Sequence, residues 1–199
     1  MVNHLLRHAE GRRIAILVNE FGDLPIDEDL IEAEGEDMIA ISGGCICCSF
    51  GSDLTAALIK LSELTPPPDH VVIEASGVAM PGTVALSISI LPGFALSGVV
   101  VLADGERVQA QAKDDYIGDT ILRQLSDADV IVHSKTDLQP NERAVEAVES
   151  WLQAMAPQAK IVPTARGRVP PDIILGLTGP TAKPQASPHA DAGYESLAF

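Results

Sequence analysis

The sequence predicts an α/β fold, in which a mostly parallel β-sheet is flanked by helices. Two observations predict it: short, apolar, β-rich runs recur along the chain, and helical patterns lie between several of them. Strands that alternate with helices are typical of a parallel sheet covered on both faces. Ligands bind such sheets at the carboxyl ends of the strands, so the residues that directly follow each run are the candidate functional residues.

The elements follow from these patterns in order. The runs predicted to be strands are Ile14–Val18, Met38–Ile41, His70–Ile73, Val99–Leu102, Val130–His133 and Lys160–Pro163. The apolar residues at helical spacing are Leu54, Ala57, Leu58 and Leu61, then Ile117, Ile121, Leu122 and Leu125, and finally Val145, Val148, Leu152 and Met155. We therefore expect three helices between these strands.

An uncharged stretch from Ala75 to Ala103 resembles a membrane span in composition. Pro81-Gly82 and Pro92-Gly93 break it into pieces shorter than the roughly 20 residues that a spanning helix needs. The stretch therefore predicts a loop, a short helix, a second loop and a buried strand.

The composition predicts one globular domain, because 46% of the 199 residues are hydrophobic. We place this domain at residues 1–178. Residues 179–199 are rich in proline and small residues and lack periodicity, so they predict a linker toward a further C-terminal domain.

The charge balance excludes some partners. Twenty-eight acidic residues against 13 basic residues give a formal charge of −15, which would repel a nucleic-acid backbone. The first residues lack the apolar core of a secretory signal, so we expect a cytoplasmic protein without membrane contact.

All three cysteines, Cys45, Cys47 and Cys48, fall within four positions that follow two glycines. Thiolates so closely grouped are typical ligands of Zn²⁺ and related soft cations, although Co²⁺ and Cu⁺ are accepted as well. Buried core thiols and a thiol redox site are the alternatives. The redox alternative is the weaker, because C-x-C-C lacks the C-x-x-C spacing that lowers a thiol pKa.

A second group of polar residues follows the later strands. In Ser134-Lys135-Thr136-Asp137, the aspartate can accept hydrogen bonds from the ring N1–H and exocyclic amine of guanine, while the lysine stem lies along the base. Glu74 ends another strand, where phosphate-bound Mg²⁺ is usually held, and Gly77 follows it, permitting close approach to a γ-phosphate. Taken alone, the K-x-D sequence also fits a solvated turn, and Glu74 also fits an acidic residue that merely ends a strand.

These motifs occur in the order of a known family. The carrying segments are Asn19-Glu20-Phe21-Gly22, Gly44-Cys45-Ile46-Cys47-Cys48-Ser49, Glu74-Ala75-Ser76-Gly77 with Pro81, and Ser134-Lys135-Thr136-Asp137. From about residue 3 to residue 177, the chain resembles the CobW-like metallochaperone GTPases, relatives of the nickel-insertion GTPases HypB and UreG. The C-x-C-C run is the specific part of this resemblance.

The resemblance implies a P-loop GTPase-like domain that binds Zn²⁺ or Co²⁺ together with GTP and Mg²⁺. It also implies two kinds of protein partner: a metalloenzyme client that receives the metal, and a second copy of the chain in a homo-oligomer. It implies metal ligands at Cys45, Cys47, Cys48 and Glu20. It implies a catalytic carboxylate near Mg²⁺ at Glu74, a γ-phosphate contact at Gly77, and guanine contacts at Ser134, Lys135 and Asp137.

The chain departs from the family at its start, which falls inside the helix that should follow the phosphate loop G-x-x-G-x-G-K-T-T. No lysine follows a glycine elsewhere, the lysines being Lys60, Lys113, Lys135, Lys160 and Lys183. We therefore expect N-terminal truncation, an unpaired edge in the sheet and weak GTP hydrolysis. A nucleotide-independent metal-binding or interaction module is the alternative. Ser134 stands where asparagine is usual, and His133, beside it, has no assigned role.

Overall fold

The computed structural model describes residues 1–9, 11–19, 38–43, 53–75, 77 and 79–177. The strands are β1 (Ile14–Asn19), β2 (Met38–Gly43), β3 (His70–Glu74), β4 (Val100–Asp104), β5 (Val130–Ser134) and β6 (Lys160–Pro163). The helices are α1 (Val2–Arg7), α2 (Asp53–Ser62), α3 (Pro81–Ser89), α4 (Val108–Gln111), α5 (Gly118–Ser126), α6 (Glu142–Met155) and α7 (Pro171–Leu175). Every predicted strand and helix is present. The predicted linker at 179–199 lies outside the described residues.

The strands pair in parallel throughout, as predicted. Within the described ranges they form two three-stranded sheets, in the orders β2-β1-β3 and β4-β5-β6. The inner strands, β1 and β5, therefore have a neighbour on each side, whereas β3 and β4 pair on one side only.

One hydrophobic core joins the two sheets. Ile14 and Ile16 of β1 lie in the same buried cluster as Val130 and Val132 of β5, and Leu5 of α1 packs with them. Val162 of β6 and Ile174 and Leu175 of α7 complete this cluster. The sheets are thus covered together on the face that carries α1 and α7.

The opposite face of each sheet has its own helical cover. Because side chains alternate along a strand, Ala15 and Leu17 of β1 point away from Ile14 and Ile16. They pack with Leu54, Leu58 and Leu61 of α2 and with Val84 and Ile88 of α3. Ile131 of β5 packs in the same way with Leu125 of α5 and with Val148 and Leu152 of α6. The result is a three-layer α/β/α arrangement.

Hydrogen bonds also connect the two halves. Gln124 of α5 donates through Nε2 to the carbonyls of Gly77 and Ala79, both at 2.9 Å. The backbone N–H of Gly82 donates to the Asp127 carboxylate at 3.0 Å. These contacts tie the segment after β3 to the helix that covers the other sheet.

Some burial differs from the sequence prediction. The predicted buried strand β4 exposes 53% of Leu102. Val101 and Ala103 pack on the face that α5 and α6 cover, so Leu102, between them, projects from the opposite face. Ile117 and Met155 were predicted on buried helix faces but are 39% and 37% exposed. Ile117 immediately precedes α5 and Met155 is the last residue of α6, so both lie where the helix leaves the sheet.

Among the described residues, we find no helix with the length and apolarity required to cross a bilayer. The uncharged stretch instead contains α3, a loop and β4, as predicted.

The α6 contact provides a test of the core. Leu152 is fully buried against the second sheet, whereas Met155 on the same helix is partly exposed. Leu152→Ala should lower the free energy of unfolding by about 2–5 kcal/mol, since it removes buried methyl groups and leaves a cavity. Met155→Ala is the matched control and should lower it by clearly less. Urea titration followed by circular dichroism measures both, and equal losses would contradict the packing described.

Candidate functional site

The candidate site residues lie at the carboxyl ends of the strands. Glu74 is the last residue of β3, and Ser134 is the last residue of β5. Asp104, the last residue of β4, is the parallel partner of Ser134. Each of these strands extends farther than the sequence run predicted, so Glu74 and Ser134 belong to the strands and do not follow them.

The strands β1 and β2 end side by side, directly before the segments that carry the proposed metal ligands. Asn19, the last residue of β1, is registered with Gly43, the last residue of β2. Glu20 directly follows the first of these strands, and the cysteine run begins directly after the second. Glu20, Cys45, Cys47 and Cys48 themselves lie outside the described residues, so their role as metal ligands stays a prediction.

Lys135 is held by a carboxylate of the neighbouring strand. Its Nζ lies 2.7 Å from Asp104 Oδ2, and the other Asp104 oxygen accepts the N–H of Glu106 at 3.0 Å. Burial alone would raise the pKa of Asp104, but the Lys135 and Glu106 hydrogen bonds, with the charges of Lys135 and Arg107, lower it. Asp104 therefore stays ionised and fixes the lysine head.

The backbone of Lys135 has a left-handed conformation, with φ 59° and ψ 34°. The 3-10 helix Thr136–Leu138 begins at the next residue, and the Leu138 N–H donates to the Lys135 carbonyl at 3.0 Å. This tight turn presents Asp137, whose carboxylate is 36% exposed. The predicted K-x-D turn is thus a compact turn at the strand end with its aspartate open to solvent.

A loop that the sequence prediction missed completes this turn. The residues after β6, Thr164 to Gly167, contact it through two backbone hydrogen bonds: Thr164 N–H to the His133 carbonyl at 2.8 Å, and Thr136 N–H to the Thr164 carbonyl at 3.3 Å. Arg166 Nε lies 3.9 Å from Asp137 Oδ2. Its place directly after the sixth predicted strand, Lys160–Pro163, is the sequence signal that indicates this loop.

The Ser134 hydroxyl forms a hydrogen bond between two neighbouring strands. It donates to the Ala103 carbonyl at 3.0 Å, while the Ser134 carbonyl accepts the N–H of Gly105 at 3.0 Å. These bonds hold the end of β5 against the end of β4. A contact between Ser134 and guanine stays a prediction.

Glu74 and Gly77 lie on the other sheet. The Glu74 side chain is exposed, and its role near Mg²⁺ stays a prediction. Gly77 is exposed too, and a Cβ added there would meet nothing within 4 Å. The space around Gly77 is compatible with a large group, and its contact with a γ-phosphate stays a prediction.

A cleft of about 410 Å³ opens beside the K-x-D turn. Its lining consists of Gly105, Glu106, Gln109, Leu138, Gln139, Pro140, Ala144, Ala147 and Val148. One carboxylate and no cation stand among these described lining residues, so the cleft lacks the positive charge that a phosphate group requires.

No three His, Cys, Asp or Glu side chains come together as a metal site within the part of the chain that the structure describes. The described residues therefore provide no alternative cluster of three metal ligands to the cysteine run.

His133 is fully buried directly before Ser134. Neither ring nitrogen has a hydrogen-bond partner, and the nearest carboxylate oxygen, Glu149 Oε1, is 3.6 Å from Nδ1. A Cβ at Gly105 would lie 2.5 Å from His133 Nε2, so only glycine fits there. Burial lowers the pKa of His133, and the Glu149 carboxylate opposes this only in part.

This buried imidazole should make stability depend on pH. Histidine in an unfolded chain has a pKa of about 6.5, and the pKa of His133 in the folded protein is lower. At pH values between these two pKa values, the unfolded chain therefore binds more protons than the folded chain. Stability should therefore fall as pH decreases from about 6.5 through the native pKa. His133→Leu should remove this part of the pH dependence, whereas His70→Gln should keep it. Urea unfolding at pH 5.5, 6.5 and 7.5 measures it, and parallel pH profiles of wild type and His133→Leu would contradict it.

Comparisons with known proteins agree with this arrangement. The sequence profile of the CobW/HypB/UreG nucleotide-binding domain matches residues 1–163. The chain is 32% identical over 206 residues to the zinc chaperone CobW of Sinorhizobium sp, covering 89% of this chain and 58% of the relative. It is 31% identical over 179 residues to the zinc-regulated GTPase metalloprotein activator 1 of Schizosaccharomyces pombe, covering 85% of this chain and 43% of that relative. The chain thus spans about half the length of these relatives.

Solved structures have the same fold. Zn(II)-bound YjiA GTPase from E. coli superposes with a TM-score of 0.59 at 23% identity, covering 89% of this chain and 56% of that one. A YjiA triple mutant in which one glutamate and two cysteines are replaced by alanine, also Zn(II)-bound, gives the same score. HypB from Helicobacter pylori in complex with nickel gives 0.53 at 16% identity, covering 82% of this chain and 71% of that one. The profile match covers most of the chain, and the chain therefore belongs to the CobW/HypB/UreG nucleotide-binding domain family.

Proposed function

We propose that this chain is the nucleotide- and metal-binding domain of a GTP-dependent metallochaperone. Its cargo is Zn²⁺ or Co²⁺, which it passes to a metalloenzyme client. The relatives named as zinc chaperones and as a zinc-regulated GTPase support this assignment. The observation that carries it is the register of β1 and β2, because Asn19 and Gly43 end side by side directly before Glu20 and the cysteine run.

The metal would be held by the thiolates of Cys45, Cys47 and Cys48, with Glu20 as an oxygen ligand. Thiolates and a carboxylate together form a donor set that suits Zn²⁺. Residues that leave adjacent parallel strands at the same end start within about 5 Å of each other, the spacing between paired strands. Short segments can therefore bring these side chains to one ion.

Guanine would be held by the turn after β5. The open Asp137 carboxylate would accept the two guanine N–H groups, and the Lys135 stem would lie along the base with its head fixed by Asp104. Glu74 would hold Mg²⁺ at the end of β3, which pairs with β1. Since residues 1–199 contain no glycine-rich phosphate loop with its lysine, we propose that this chain by itself hydrolyses GTP slowly.

The metal assignment predicts the effect of removing thiols. Co²⁺ bound by wild type should give an intense near-ultraviolet absorption from thiolate charge transfer, and Cys47→Ser/Cys48→Ser should abolish it. Affinity should fall by more than the about 10–100-fold that loss of an outer-shell partner causes. Glu20→Gln should weaken binding less, and Glu63→Gln, an exposed carboxylate after α2, should have no effect. An unchanged affinity in the double serine variant would refute this assignment.

The guanine assignment predicts a change of base preference. Asp137→Asn replaces one carboxylate oxygen, a hydrogen-bond acceptor, by an amide NH₂ group, a donor. The donor can bond to O2 of xanthine, which stands where guanine has its exocyclic amine. GDP affinity should fall roughly tenfold to a hundredfold, the range that corresponds to about 1.5–3 kcal/mol for a hydrogen bond to a charged group, and XDP affinity should rise. Asp115→Asn, an exposed acidic residue, should change neither. Calorimetry with Mg²⁺ and each nucleotide measures this. Metal binding by a wild type that binds no guanine nucleotide would favour the nucleotide-independent module.

A further inference from the structure

Two histidines of α1 lie together outside the sites considered so far. His4 is inside the helix and His8 is its C-cap, four residues later, so both imidazoles occupy the same side of the helix. Their ring centroids are 4.3 Å apart, and the ring planes are inclined by 40°. Histidines at this spacing on one helix face are a recurrent way to bind a transition metal through two ligands.

The tautomer of His8 is determined by its surroundings. Its Nδ1 lies 2.8 Å from the His4 carbonyl oxygen, which can only accept a hydrogen bond. The proton of a neutral His8 is therefore on Nδ1, and Nε2 carries the free lone pair. Metal-binding histidines are commonly oriented in this way, with the second nitrogen donating to a backbone carbonyl. The His8 backbone N–H also bonds to the carbonyls of Leu5 and Leu6, which holds the residue on the helix.

Both rings are accessible to an ion in solution. His8 is exposed and His4 is partly exposed, so an ion can reach the pair without disturbing the hydrophobic core.

We propose that His4 and His8 form a second metal site, which takes a borderline divalent transition metal such as Ni²⁺ or Zn²⁺ through two imidazole nitrogens. Imidazole suits these metals, whereas Mg²⁺ and Ca²⁺ prefer oxygen ligands. The described residues supply two ligands, so water completes the coordination and the ion exchanges readily. The site is distinct from the thiol site, because α1 leads to the amino end of β1 and the cysteine run follows the carboxyl end of β2.

The test uses Ni²⁺ alone, titrated by calorimetry into wild type and into Cys45→Ser/Cys47→Ser/Cys48→Ser. The triple serine variant should retain one Ni²⁺ equivalent. Adding His4→Gln/His8→Gln should remove that equivalent, and each single glutamine variant should weaken it at least about tenfold. His70→Gln, a substitution at the first residue of β3, is the matched control and should leave the equivalent unchanged. Retention of the equivalent in the double glutamine variant would overturn the proposal.

A second measurement does not depend on the variants. Diethylpyrocarbonate modifies free imidazole, so Ni²⁺ should protect His4 and His8 of the triple serine variant, as read by peptide mass spectrometry, while His70 reacts as before. Equal modification of all histidines with and without Ni²⁺ would overturn the proposal. Failure of the thiol site would leave this result unaffected, since the thiols are absent from the protein used.

Discussion

The parallel pairing of β1 with β2 and β3 is the constraint on which the candidate site depends. Parallel strands end at a common edge, so pairing Asn19 with Gly43 and Val18 with Glu74 brings three chain segments to one place. No side-chain contact is required to position them. The burial of Ala15 and Leu17 against α2 and α3 maintains this pairing, since a one-residue shift would expose them.

The second sheet applies the same principle and adds electrostatic contacts. The ends of β4, β5 and β6 are linked through Asp104, Lys135 and the Thr164 loop. The Lys135–Asp104 contact is short but partly exposed, and such an ion pair stabilises the fold by only about 0–1 kcal/mol. Its importance is geometric, because it holds the lysine in one orientation. Asp137 faces Arg166 at a longer distance, and its carboxylate remains accessible.

The sequence predicted much of this arrangement and missed specific parts of it. Apolar runs located each strand that the structure describes, because β-rich segments between helical patterns are typically buried in a sheet. The position of the loop after β6 was readable from the sequence, but its contacts with the K-x-D turn were not, because they join segments about 30 residues apart in the chain. The exposure of Leu102 was missed because hydrophobicity along a strand does not reveal how far each face of the sheet is covered. The sequence also did not reveal that the buried His133 ring lacks a hydrogen-bond partner. This property depends on contacts with Gly105 and Glu149, which are distant in sequence.

The sequence by itself determined the fold class, the cysteine run, the K-x-D turn and the family resemblance, because these are local patterns of residue type and spacing. Only the tertiary structure decided that the strands form two sheets over one core, that Asp104 holds Lys135, and that His4 and His8 place their rings 4.3 Å apart. The physical reason is that strand order and side-chain contacts depend on packing between segments that are distant in the chain, whereas a motif is defined by neighbours in sequence.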